Sequence, residues 1–124
     1  MQAFTQGSLR RAVKLIVQGA TQTPEDAADF DRIIHEYKDE KNIEFWHKPL
    51  IGIEWQKGIA SVDALVIPYG NARYLSHTSA IISNAMGYRV PVIAADNVNP
   101  EILSLYDMGL SFKHGDMADL QRTI

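Results

Sequence analysis

The sequence predicts an α/β fold: a parallel sheet of about five strands with helices on both faces, arranged as a three-layer sandwich. Two observations carry this expectation. Short runs of continuous apolar, β-branched residues recur along the 124 residues, the pattern of strands covered on both faces. Between them lie amphipathic or polar stretches that open with helix-capping residues, so strand and helix alternate as a parallel sheet with crossover helices requires. The length is that of one domain spanning residues 1–124, enough to bury a core.

Residues 13–18 (VKLIVQ) read as a strand closed by Gly19. Thr23 is a natural N-cap, Pro24 suits the first helical position, and Glu25 and Asp26 favour the positive end of the helix dipole. A helix is therefore expected over 24–41, with Ala27, Phe30, Ile33, Ile34 and Tyr37 on one apolar stripe. Its acidic residues read as a solvated face. Residues 43–47 (IEFWH) alternate like a strand, 53–60 form a short amphipathic helix, and 63–68 (DALVIP) repeat the buried-strand pattern before a polar loop over 69–76.

The segment 76–101, SHTSAIISNAMGYRVPVIAADNVNPE, joins a polar loop and helix start to a buried strand and a second polar turn. Pro91 opens the strand, where no ladder donor is needed. Thr78 to Gly87 reads as the preceding helix, capped by Ser or Thr. Pro100 to Tyr106 reads as the next helix, with Asn99 as N-cap; residues 110–112 are a small strand, and Asp116 caps a last helix. The order is that of a Rossmann-like half, in which ligands lie at the carboxyl ends of the parallel strands.

Composition narrows the classes of function. The net charge is −3 with basic residues scattered, which gives no electrostatic footprint for nucleic acid. The absence of cysteine excludes disulfides and thiolate chemistry and suits a cytoplasmic setting. No apolar run approaches the roughly 20 residues of a membrane span. His35, His47, His77 and His114 lack metal-ligand spacing, so no metal is expected.

Taken together, IVQG, IEFWH, DALVIP, NAMGYRVPVIAAD, NPEI and GLSFKHGD resemble, in order and spacing, the C-terminal nucleotide-sugar-binding domain of GT-B glycosyltransferases. The resemblance covers residues 13–124 and is most specific in NAMGYRVPVIAAD followed by NPEI. It implies a nucleotide-diphosphate sugar as donor, with no further cofactor, and transfer of the glycosyl group to a glycan or lipid-linked acceptor, as in polysaccharide biosynthesis. Retaining members carry two glutamates, one touching the donor sugar and one the ribose; here those places hold Ser76 and Asn84. Asn84 keeps the capacity to hydrogen-bond ribose hydroxyls.

The family's Gly-rich diphosphate turn corresponds to His77, Thr78, Ser79 and Ala80, where a helix N-terminus supplies N–H groups to an anion. With Ser76 and Arg73 these form the expected diphosphate site; the hydroxyls of Thr78 and Ser79 serve equally well as helix caps. Asn99 and Glu101 correspond to the turn that approaches the sugar, and Asn99, Pro100 and Glu101 also make an ordinary helix start. No residue is assigned to catalysis.

The resemblance further implies an N-terminal acceptor domain and a first strand that this sequence lacks. Transfer in that architecture happens between two domains, so the isolated chain is expected to have little or no activity. The absent strand would lie between the IVQG and DALVIP strands, which invites a gap or pairing with another copy of the chain. The expected location is cytoplasmic, peripheral to the inner membrane face in a full-length protein. The alternative is a non-catalytic Rossmann-like binding or regulatory module, favoured by the lost carboxylates.

Overall fold

A computed structural model describes residues 1–124 as α/β, divided into two compact units, Met1–Ile51 and Gly52–Ile124. The first contains a 3-10 turn (Gln2–Phe4), α1 (Leu9–Ala12), β1 (Leu15–Gly19), α2 (Pro24–Glu36) and β2 (Ile43–His47). The second contains α3 (Ile53–Ala60), β3 (Leu65–Ile67), a 3-10 turn (Ala72–Leu75), α4 (Ala80–Tyr88), β4 (Val92–Ala95), α5 (Pro100–Tyr106), β5 (Gly109–Phe112) and α6 (Met117–Thr123). No helix is long and apolar enough to cross a membrane.

All strand pairs are parallel, but the five strands do not form one sheet. In the first unit β1 pairs only with β2, Leu15 opposite Ile43 through Gly19 opposite His47. In the second the order is β3-β4-β5, with Leu65 opposite Val92 and Val92 opposite Gly109. The expectation of a continuous five-stranded sheet is thus corrected to sheets of two and three strands. The reason lies in the hydrogen bonding: no strand pairs with the free edge of β1 or of β3, so nothing joins the two ladders.

Thr23 and Asp26 close a reciprocal capping box, with the Thr23 hydroxyl accepting from the Asp26 N–H at 3.1 Å and the Asp26 carboxylate from the Thr23 N–H at 3.2 Å. The stripe of Ala27, Phe30, Ile33, Ile34 and Tyr37 is partly buried, as its spacing requires. The helix ends at Glu36 rather than near residue 41, because Asn42 is held elsewhere. Its Nδ2 donates to the Phe4 carbonyl at 2.8 Å and the Val13 carbonyl at 3.4 Å, and its own carbonyl accepts the Leu15 N–H. The chain must turn over 37–42 to reach them. No residue of β1 or β2 is fully buried.

The second unit holds the denser core. Ile67, Ile82, Val92, Ala94, Val98 and Phe112 are buried between its sheet and helices, with Trp55 and Tyr69 packed against them. Each fully buried aliphatic side chain contributes about 1.5–3 kcal/mol. Two βαβ crossovers, β3-α4-β4 and β4-α5-β5, place the starts of α4 and α5 beside the carboxyl ends of the strands that precede them. The helix α4 starts at Ala80, two residues later than its first capping candidate, and runs through Gly87 to a left-handed C-cap at Arg89.

Candidate functional site at the strand ends

The segments that follow β3, β4 and β5 converge. After Ile67, Pro68 ends the pairing and Tyr69 turns back to stack on Tyr74, with ring centroids 5.0 Å apart. Burial, with a lesser effect of Tyr74, raises the pKa of Tyr69. At Gly70 a Cβ would lie 2.3 Å from the imidazole Nε2 of His114, so the missing side chain is what lets that ring approach. The Asn71 side-chain oxygen accepts the Arg73 N–H at 2.9 Å and starts the 3-10 turn.

From that turn onward the backbone is folded tightly. The Arg73 carbonyl accepts the N–H groups of His77 at 2.9 Å and Ser76 at 3.2 Å, and the His77 ring nitrogen Nδ1 lies 3.1 Å from the same oxygen. The Arg73 guanidinium donates to the Tyr74 hydroxyl at 2.9 Å and sits 4.7 Å from the ring centroid of Tyr74.

Asn99 locks this loop to the turn after β4. It is 1% exposed and left-handed, with φ 42. Its Oδ1 accepts the Ser79 N–H at 2.8 Å, while Nδ2 donates to the carbonyls of Tyr74 at 3.0 Å and His77 at 3.1 Å. Its backbone N–H also donates to the Tyr74 carbonyl at 3.0 Å. The side-chain amide is therefore spent on shaping the loop. Asn99 is the N-cap of α5 by position, yet its side chain makes no cap bond there.

The loop delivers the chain into α4 with Ser79 buried and Ala80 exposed. The N–H groups of Ala80, Ile81 and Ile82 have no acceptor within the chain, and Ser79 makes no side-chain cap. The orphan donors of exposed Ala80 and half-buried Ile81 thus lie at the positive dipole end, while Ile82 is buried in the core. The Thr78 hydroxyl beside them is exposed and unpaired. One turn into the helix, the Asn84 amide folds back to donate to the Ala80 carbonyl at 2.8 Å, which leaves its Oδ1 unengaged.

The structure therefore unites Arg73, Ser76, His77, Ser79 and Asn99 in one hydrogen-bonded loop, with Thr78 and Ala80 at its rim. Asn84 and Glu101 stand outside that network: Asn84 bonds only within α4, and Glu101 is exposed in the first turn of α5. Sequence reasoning missed Gly70, Asp96 and His114. Asp96 follows β4, donates its N–H to the Phe112 carbonyl at 2.8 Å, and accepts the His114 N–H on Oδ1 at 3.0 Å. An acidic residue directly after the PVIAA strand was the available signal. Next to it, Asn97 Oδ1 is buried without a hydrogen-bond partner.

No protein-family model matches the chain, and no curated protein does either.

Proposed function

We propose that this chain supplies the donor-binding half of a GT-B-type glycosyltransferase, holding a nucleotide-diphosphate sugar whose glycosyl group passes to a glycan or lipid-linked acceptor. The observation that carries the reading is the start of α4: the orphan N–H groups of Ala80 and Ile81 after β3, beside Thr78 and behind a loop tied down by Asn99. A diphosphate there would accept from the N–H groups of Ala80 and Ile81, with the Thr78 hydroxyl, the His77 imidazole and the Arg73 guanidinium around it. Asn84 would offer Oδ1 to a ribose hydroxyl, and Glu101 a carboxylate to the sugar. Asn99 acts by shaping the loop; only its surroundings reach the ligand.

On this reading the acceptor is bound by another domain. The free edges of β1 and β3 then favour pairing with a second copy. The setting is cytoplasmic, at the inner membrane face in an assembled enzyme.

A second reading rests on Ser76 and Asn84, which stand where retaining transferases have carboxylates: a Rossmann-like module that binds a nucleotide without catalysis. A thermal-shift panel of nucleoside diphosphates and their sugars tests both. Saturable stabilisation by UDP or GDP, larger with the matching sugar, supports donor binding; no stabilisation at millimolar ligand counts against it. Stabilisation by nucleotides without any gain from a sugar favours the second reading.

A further inference from the structure

The Met1–Ile51 unit contains a cleft of about 700 Å³ that the proposed donor site does not use. That volume lies within the range of small-molecule sites. Its walls come from the segment before α1, from α1 itself, and from the turn between α2 and β2. Both sides are held: the Asn42 amide bridges to the Phe4 and Val13 carbonyls, and the Arg10 Nε pairs with Glu40 at 3.0 Å. The cleft is thus bounded by a pinned turn and an oriented guanidinium.

Its charge differs from that of the chain as a whole. Arg10, Arg11, Lys41 and Asp39 all line it. Arg10 is neutralised by Glu40, whereas Arg11 and Lys41 have no acidic partner and Asp39 has no cation. On a chain of net charge −3, two free cations converge on one concavity beside one free carboxylate. Two cations in a cleft favour a phosphoryl group, and a free carboxylate accepts from hydroxyls.

We propose that this cleft binds a hydroxyl-bearing phosphate ester, with the phosphoryl group between Arg11 and Lys41 and a ligand hydroxyl donating to Asp39. Such a ligand comes either as a soluble polyol phosphate or as a phospholipid headgroup.

The test is a titration of the full chain, followed by amide NMR, with glycerol 3-phosphate, inorganic phosphate and phosphatidylglycerol vesicles in separate arms. Saturable shifts at Gly7, Arg11, Lys41 and Asn42 are expected with glycerol 3-phosphate if the source is soluble, and broadening of the same signals by vesicles alone if it is a headgroup. The double variant Arg11→Gln, Lys41→Gln should weaken binding by about tenfold or more, as loss of charge-assisted bonds implies. Asp39→Asn should weaken binding of glycerol 3-phosphate but not of inorganic phosphate. All three side chains are exposed, so unchanged melting temperatures will show that the variants fold. Absence of saturable change in all three arms, or changes that persist in the double variant, would overturn the proposal.

Discussion

The Asn99 side-chain oxygen accepts the Ser79 backbone N–H at 2.8 Å, joining the turn after β4 to the residue before α4. Two further bonds from the same amide reach Tyr74 and His77, so one side chain fixes both ends of the loop that presents the helix start. Asn99→Ala should cost roughly 2–4 kcal/mol, because it leaves a buried N–H and two carbonyls without this partner. Asn99→Asp should recover little of the loss, since a carboxylate would face two carbonyl oxygens. Urea unfolding midpoints read both; an Asp variant as stable as the parent would contradict the assigned hydrogen bonds.

Gly109 opens β5 with φ 151, and a Cβ there would meet the Val92 carbonyl oxygen at 1.9 Å. Gly109→Ala therefore must separate β4 from β5 and should destabilise by about 3 kcal/mol or more. Gly115→Ala is the control: its φ is 79 but nothing lies within 4 Å of the added carbon. Strain alone then costs about 1 kcal/mol. Equal losses in the two variants, measured by thermal unfolding, would show that the β4–β5 contact is not the cause.

Acid should destabilise the fold. The Lys113 N–H, and then the Arg122 guanidinium, hold the Asp119 carboxyl below its ordinary pKa; Lys14, and then the Trp46 indole N–H, do the same for Glu44. A depressed folded pKa gives stability that is present above the unfolded value and lost as pH falls through the folded one. Urea midpoints should hold between pH 7 and 5 and fall below about pH 4, where carboxylates titrate. Asp119→Asn should flatten that fall, and a fall of unchanged depth in this variant would assign the acid sensitivity elsewhere.

Strand edges without partners lead to an expectation about mass. If β1 or β3 pairs with a second copy, light scattering will show a mass rising above the 13.9 kDa of one chain as concentration increases. A constant single-chain mass over that range would remove the oligomer from the account.

Much of the fold was legible because local chemistry decides it. Thr23, Pro24 and Asp26 announce the start of α2, Asp116 caps α6 through the Asp119 N–H, and the five apolar runs all became strands. What escaped depends on partners distant in sequence. The end of α2 is set by Asn42 reaching Phe4 and Val13, and the division into two sheets by which strands find a neighbour. The site shows the same limit. Capping patterns put the start of α4 at Thr78 under a Ser or Thr cap, whereas the helix begins at Ala80 with no side-chain cap, and Asn99 looked like a ligand contact and an N-cap. Its actual bonds run 20 to 25 residues back along the chain. The contacts of Asp96 with His114 and of Gly70 with the His114 ring are equally non-local.

The most direct test of the donor-site account is an amide NMR titration with UDP and GDP, read residue by residue. The account predicts saturable shifts at Thr78, Ala80 and Ile81, with the Arg73 side-chain signal moving alongside, and loss of these shifts in Asn99→Ala under conditions where that variant remains folded. Shifts confined to residues 1–51, or none at millimolar nucleotide, would contradict it.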